Sequence, residues 1–405
     1  MRRTACLFLA AVSLVAATRP QYGGTLRMRA RSASLSPRPT NNLTPAVFDS
    51  LVTFTESGQP QPALATSWSH DPDFKRWEFH LRSGVKFHDG TPLSAGLVAA
   101  ALDTIGAEAQ GDSVVIRPQH SGLMFLSELS AIAIVKPGSD GLPIGTGPFR
   151  VKIWEPNARV ILTANEDYWG GRPYVDSVEI EIGKAPRDQA VDLELNKADV
   201  VELGFADTRR ITQSGKRVWT SLPVDLLALV FDTADERVRD AIALSIDRAA
   251  IHDVLLQKQG VATGAIRPQW LSGYAFLFPT GRDLSRAREL AARAAPVSLA
   301  YDLVDSVSRL IAERVAVNAR EAGLVIRPVA EGAQSVAAHL TRTRVASPDL
   351  DTPDAAYLRE RAQIQDRRIV PLFHLPETYG LAARVRGWAP SRWGGWRLES
   401  VWLAP

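Results

Sequence analysis

The chain has a single cysteine, Cys6, and it lies inside an apolar N-terminal run. Past that run there is no thiol, which excludes a disulfide framework, a Cys-ligated metal site and a cysteine nucleophile. Charge of one sign is also lacking. Lys and Arg number 47 against 44 Asp and Glu, a formal net charge of +3, and no block of like charges occurs. So even a balance gives nucleic acid no footing, and no nucleic-acid partner is expected. Long hydrophobic runs are missing apart from residues 5–17, where only Ser13 is polar. That run is too short to span about 30 Å of hydrocarbon. The signatures G-x-S-x-G, H-E-x-x-H and the P-loop are absent as well. No catalytic residue stands out, and the chain reads as a protein that is not an enzyme.

What is present begins with a targeting pattern. Arg2 and Arg3 precede the apolar run, and the small residues Val15 and Ala17 close it. This is the pattern of a secretory signal peptide over residues 1–17, cleaved after Ala17. Its removal takes two arginines and leaves 45 basic against 44 acidic residues. The product is expected to be periplasmic or secreted, with no stable membrane insertion after cleavage. An exported protein without disulfides must rest on its core, and 405 residues can bury a large one. Hydrophobic residues at 45% and charged residues at 22% fit an ordinary globular protein.

"GGTLRMRA" alternates Leu26 and Met28 with Arg27 and Arg29, a strand pattern followed by a loop rich in Ser, Pro and Asn. In "RWEFHLRSGVKFHDGTPLS", Trp77, Phe79 and Leu81 alternate with Glu78, His80 and Arg82, a half-buried strand. Ser83-Gly84 reads as a turn, with Val85 and Phe87 opening a return strand. His88 beside Asp89 has the look of a catalytic pair. Strand parity turns His88 away from the apolar face of Phe87, Asp89-Gly90 supplies turn chemistry, and Ser94 is placed to cap a helix through "AGLVAAALDTI". A structural role is therefore expected for the pair. The same is expected of Tyr168-Trp169, Trp388, Trp393, Trp396 and Trp402 as partly buried anchors. "GLPIGTGPFRV" is no dinucleotide loop, because Arg150 stands where the third glycine of G-x-G-x-x-G belongs; it reads as a rigid connection. "ARVILTANEDYWGGRPYVDSVEIEIG" reads as strand, Gly-rich turn, strand.

A nearly continuous apolar strand from Leu226 to Phe231 comes next, then a capping box of Thr233 and Glu236. The helix it opens is expected to bury Val238, Ile242, Ile246 and Val254 with Ala241 and Ala249, and to carry Asp247-Arg248 on a salt-bridged surface. "VSLAY", a helix with Val307, Leu310, Ile311 and Val315, and "LVIRPV" form a βαβ unit, so part of the fold is α/β with a parallel sheet. From 331 to 368 the pattern blurs, and the tail gives two short strand-like pieces. The histidines, His70, His80, His88, His120, His252, His339 and His374, never pair at helical ligand spacing. No metal site and no cofactor are expected. His374 is the candidate if a single histidine touches a chelated metal.

The stretches "GGTLR", "FDSLV", "PALATSW", "WEFHLRSGVKFHDGTPLS", "GTGPF", "NEDYWGGRPYVDSVEI" and "VRDAIALSIDRAAI", in this order, resemble the peptide and nickel class of extracellular solute-binding proteins that serve ABC importers (family 5). The resemblance runs from Gly23 to Ile251. It implies an α/β, two-lobed periplasmic-binding-protein-like fold with mixed sheets and an inserted subdomain. The limits it suggests are 18–57, 143–229 and 370–405 for lobe I, 58–142 for the insertion and 230–369 for lobe II. It departs from the family at Leu97, where an acidic residue usually completes the helix cap. It departs also in lobe II, which is shortened and lacks an aromatic, aspartate-containing stretch. The resemblance implies capture of a small ligand, an oligopeptide or peptide-like solute, between the lobes for an ABC importer permease, by a monomer. The alternatives are a degenerate scaffold acting as a partner or sensor, and a secreted hydrolase.

Candidate ligand-binding residues are Arg31, Ser32 and Ser34, after the first strand, and Phe231 and Asp232, at the end of the apolar strand. Ligands in α/β folds collect beyond the carboxyl ends of strands. Trp270, after "GVATGAIRPQ", offers an aromatic face. Arg31 would meet a carboxylate, Asp232 an amine, and Trp270 an apolar group.

Overall fold

The computed structural model describes residues 19–35, 42–119, 122–138, 141–232, 235–345, 348 and 352–405. The segment read as an export signal lies outside these residues, as do Thr233 and His120. Among the described residues no helix is long and apolar enough to cross a membrane.

Strand Thr25–Ala30 buries Leu26 and Met28, as the alternation requires, and lies parallel between Ser177–Ile182 and Val200–Glu202. Its opposite face is not bare, because Arg27 pairs with Asp199 and Arg29 with Asp192. The hairpin Phe149–Glu155 and Arg159–Ala164 extends this sheet at one side. On the other side run two long antiparallel strands, Arg217–Phe231 and Ile369–Leu381. Beyond them come Ala338–Arg344, Val297–Tyr301 and Ile326–Ala330, so one 11-stranded sheet runs through the whole molecule.

The sheet carries two separate cores. The first gathers Leu26, Val178, Val200, Tyr379, Leu381 and Trp396. The second gathers Leu227, Phe231, Ile242, Leu299, Val315 and Phe373. The change from one core to the other falls within the two long strands, where Pro223 pairs with Pro376 between shifts of register. These prolines correct the expectation of two short tail strands. The tail forms one 13-residue strand, and both Pro371 and Pro376 stand beside register shifts, where a missing N–H disturbs no regular ladder.

A third core lies in a four-stranded antiparallel sheet ordered Ala65–His70, Trp77–Leu81, Ser113–Ile116 and Ala107–Gln110. Trp77 and Phe79 are fully buried there, with Val98 of helix Ala95–Ala101, which Ser94 caps. The expected return strand at Val85 and Phe87 does not form; one bridge, Lys86 to Pro92, takes its place. His88 and Asp89 make no pair of their own. His88 Nε2 donates to Gly147 O at 3.0 Å, while Asp89 accepts from Lys136 and from Thr91 N. Burial holds the His88 imidazole down to about 4. "GTGPF" is rigid for a steric reason. Gly145 and Gly147 run against Val47, and a Cβ on Gly145 would lie 2.1 Å from Val47 O.

The βαβ unit forms as read, with Val297–Tyr301 parallel to Ile326–Ala330 across helix Ser306–Glu321. The preceding helix departs from expectation. It runs Glu236–Ser245 and is capped by Asp235, so Glu236 is its first residue and cannot complete a box with Thr233. Ile246 is extended, and Asp247 caps a new turn at Arg248–Ala250. This break resets the helical phase: Val238, Ala241, Ile242 and Ile246 are buried, whereas Ala249 is exposed and Val254 is 70% exposed. Arg248 is no surface residue either. It is buried, donates to Pro371 O at 2.9 Å, and is pushed down to about 10 by burial. The blurred stretch contains strand Ala338–Arg344 and helix Pro353–Ile364.

Three substitutions test these assignments. Gly145→Ala should destabilise the protein by more than about 3 kcal/mol, since backbone must move to admit the methyl. Gly90→Val should cost only about 1–2 kcal/mol, because Gly90 sits at φ +86° in open space. Equal denaturation midpoints for the two variants would refute the steric account. His374 stands on the strand between Phe373 and Leu375 of the second core, 1% exposed, with Nε2 on Ile266 O at 2.9 Å, and burial pushes its imidazole down to about 4. It must fold neutral, so its contribution is present above about pH 6.5 and disappears as pH falls towards 4. Wild type should lose on the order of 3 kcal/mol through that window from this residue, and His374→Gln should flatten the loss. Denaturant titrations at pH 7 and 4.5 measure both; identical pH slopes would overturn the assignment.

Candidate functional site

Two cavities stand out, one between the first core, the third core and the end of strand Ala338–Arg344, the other where the first and second cores meet. The first, of about 440 Å³, is walled by Phe48, Asp49, Tyr168, Trp169, Trp393 and Glu399, by Ser127 and Ser130 of the four-stranded part, and by Arg344 and Pro348. The second, of about 450 Å³, contains Arg31, Ser32, Glu202, Asp225, Asp305, Arg342, Arg344 and Glu377. Arg344 borders both.

The second cavity is a charge network. Arg31 Nε lies 2.9 Å from Glu202 Oε2, and its Nη1 lies 3.7 Å from Asp305 Oδ2. Asp305 also caps helix Ser306–Glu321, so Arg31 ties the end of the first strand to the βαβ unit. Burial alone would lower the Arg31 guanidinium; Glu202 and Asp305 outweigh it and hold the charge firmly. Strand parity puts Arg342 and Arg344 on one face of Ala338–Arg344, opposite Asp225. Arg342 Nε donates to Asp225 Oδ2 at 2.9 Å, and Arg344 pairs with Asp225 and Glu377. The Arg344 side chain is 10% exposed, and its Nη1 has no hydrogen-bond partner among the described residues. Its charge is retained, because Glu377 and Asp225 more than offset the effect of burial.

The first cavity is aromatic, with one saturated carboxylate. Asp49 accepts from Trp169 Nε1 at 3.0 Å, Thr146 Oγ1 at 2.8 Å and Tyr168 Oη at 3.2 Å. Burial pushes the Asp49 carboxyl up, and these donors partly offset it. Arg82 lies over the Trp169 ring at 4.4 Å. Tyr168, Trp169 and Trp393 are thus wall residues, whereas Trp388, Trp396 and Trp402 are buried anchors.

The sequence candidates separate in space. Arg31 and Ser32 border the second cavity, while Ser34 is exposed and borders neither. Phe231 is 3% exposed within the second core, so its ring faces packing partners, and Asp232 holds His339 at 3.1 Å away from both cavities. The reason is the length of the strand: Asp225, not Asp232, stands next to the crossover. Trp270 donates to Pro223 O at 2.7 Å and packs 6.0 Å from Trp393, behind the first cavity's wall. Missing from the sequence reading were Asp225, Arg342, Arg344, Glu377 and Glu399. "HLTRTR" does alternate with period 2, and this signal in the blurred stretch would have placed Arg342 and Arg344 on one strand face. Among the described residues no three His, Cys, Asp or Glu side chains form a metal-binding group. The candidate metal contact, His374, has its Nε2 occupied by Ile266 O.

Comparison with known proteins follows this geometry. A profile of the bacterial extracellular solute-binding proteins, family 5 Middle, matches residues 59–117 and 113–297. The nickel-binding periplasmic protein of Escherichia coli is 24% identical over 349 residues, 72% of this chain and 67% of that protein. The dipeptide-binding protein of Escherichia coli is 24% identical over 270 residues, 53% of this chain, and the match spans 50% of that relative's length. The structure of NikA from Staphylococcus aureus in complex with Ni(L-His)2 superposes with a TM-score of 0.83 at 16% identity, covering 94% of this chain and 100% of that one. The structure of AppA from Bacillus subtilis in complex with a nonapeptide also gives 0.83, at 17% identity, covering 96% and 100%. The fold is the mixed α/β architecture of these periplasmic binding proteins. With a profile match over more than half its length, the chain belongs to the bacterial extracellular solute-binding proteins, family 5, which bind solutes and are not enzymes.

Proposed function

We propose that this protein captures an oligopeptide or peptide-like solute between two lobes and delivers it to the permease of an ABC importer. The observation that carries the reading is Arg344: a nine-tenths buried guanidinium, charged, whose Nη1 has no partner among the described residues, at the junction of two cavities. A buried unpaired donor is unfavourable by about 1–3 kcal/mol, and a solute carboxylate removes that penalty. A cavity of about 440 Å³ suits a small ligand. The paired Pro223 and Pro376, in a stretch of shifted register, form the hinge on which the lobes move. On this reading lobe I comprises residues 18–57, 143–229 and 370–405, residues 58–142 are its insertion, and residues 230–369 are lobe II. Peptide-binding relatives support the solute class.

A second reading has an observation of its own. Arg31 with Asp305, Ser127 Oγ with Pro348 O at 2.7 Å, and Trp270 with Trp393 close the cleft through protein contacts alone. Such a self-closed scaffold would serve as a partner or sensor protein, and it would give flat titrations with every solute.

Native mass spectrometry of freshly purified protein should reveal a co-purified small solute carrying a carboxylate. Arg344→Lys keeps a charge for Glu377 but loses the fork, and should weaken that solute by about 1–3 kcal/mol at an unchanged melting temperature. Unchanged affinity would remove Arg344 from the site. Protein recovered from the periplasm should begin near Thr18; an intact Met1 on a cytosolic product would refute export.

A further inference from the structure

The helix break at Ile246 also builds a cavity that the capture reading does not use. It measures about 500 Å³ and is bordered by Asp247, Arg248, His252, Val261, Thr280 and Arg282, among others. None of its residues borders either cavity described above. Because the helical phase resets at Ile246, Arg248 turns into the molecule and is only 8% exposed. Its Nη2 donates to Pro371 O at 2.9 Å and its Nη1 to Thr280 O at 3.3 Å. Both partners are carbonyls, and among the described residues no carboxylate is paired with Arg248. Its neighbour Asp247 turns the other way and caps Ala250 N at 2.9 Å. Burial lowers the Arg248 guanidinium, and Arg367, a second cation, adds to this.

Other buried arginines are compensated. Arg29 holds Asp192 and Glu181, and Arg344 holds Asp225 and Glu377. A guanidinium taken out of water and held by carbonyl dipoles alone is oriented but not neutralised, and an uncompensated buried charge is strongly unfavourable. Arg248 meets this cavity instead of a carboxylate. The walls include the aliphatic Ile246, Val261 and Ala262, so water screens the charge poorly there. On the rim, Arg282 gives Nε to Ser245 O and Nη2 to Glu321, which leaves its Nη1.

We propose that this cavity is a second binding site, which takes a small oxyanion, a phosphate or a carboxylate, as the counter-charge of Arg248. A guanidinium has five N–H donors, and the two carbonyls engage two of them. An oxyanion in the cavity adds charge-assisted interaction with Arg248 and a bond from Arg282 Nη1. His252 supplies a wall and no donor, because its Nε2 is already on Gly260 O at 3.3 Å and its ring stacks on Phe373. Through Pro371 O and Thr280 O, Arg248 ties the turn Arg248–Ala250 to the long strand Ile369–Leu381 and to the loop at residue 280. Neutralising it fastens these three segments together, so the anion stabilises the fold around the second core.

The probes are sodium phosphate and sodium acetate, each titrated by calorimetry into the purified full chain in chloride at constant ionic strength, with thermal melts alongside. Wild type should show one saturable site for at least one of the two, with a dissociation constant on the order of 0.1–1 mM, and a raised melting temperature relative to chloride. Binding of phosphate alone assigns a tetrahedral anion and binding of acetate alone a carboxylate; either result supports the site. Arg248→Met removes the charge while keeping most of the bulk, and it should abolish the saturable binding. Arg282→Gln changes only the rim, should fold, and should weaken the anion about three- to tenfold, so it decides the matter if Arg248→Met does not fold. No saturable binding of either anion by wild type, or full affinity in either folded variant, overturns the site. Each of these failures leaves the capture cavity untouched, because the two share no residue.

Discussion

Everything in this molecule hangs on one antiparallel pair, strands Arg217–Phe231 and Ile369–Leu381. Each contributes to both cores, with Tyr379 and Leu381 on one side of the crossover and Leu227, Phe231, Val370 and Phe373 on the other. A continuous ladder would weld the two halves into one body. Instead Pro223 faces Pro376 in a stretch of shifted register, so the ladder is weakest where the cores part. The two cores of the large sheet are therefore joined by a stretch of interrupted ladder, and the third core stands apart in the four-stranded sheet.

The same crossover dictates the electrostatics. Asp225 and Glu377 lie just beyond the two prolines, and strand pairing brings Arg342 and Arg344 opposite Asp225. Charges removed from water must be paired or they are strongly unfavourable. Across the junction Arg31 pairs with Glu202 and Asp305, Arg342 with Asp225, and Arg344 with Asp225 and Glu377. Arg344 Nη1 and Glu399 Oε2 are left out of this pairing, and both belong to walls of the aromatic cavity. Arg344 also holds Asp225 and Glu377, so it ties strand Ala338–Arg344 to both long strands.

Much of the framework was legible because it is written in local periodicity. The burial of Leu26, Met28, Trp77 and Phe79, the cap at Ser94 and the βαβ unit all follow from alternation or helical spacing. Where local signals failed, a non-local cause is visible. The tail strand survives two prolines because its partner strand shifts register beside them. The helix after the apolar strand breaks at Ile246, and Asp247 N–H donates to Asn318 Oδ1 of another helix. Val254 then leaves the buried face although its spacing fits.

The candidate site divides along the same line. Residue types and their order determined that Arg31 follows a strand, that His88-Asp89 belongs to a turn, and that "GTGPF" is a rigid connection. These are properties of a few neighbouring residues and need no partner from elsewhere in the chain. Which charges meet was decided only in three dimensions. Glu202, Asp305, Arg344, Glu377 and Glu399 are far apart in sequence, and the sheet order and the crossover bring them to one junction. Asp225 borders the junction and Asp232 does not, because sequence shows where a strand ends but not which part of it stands next to the crossover.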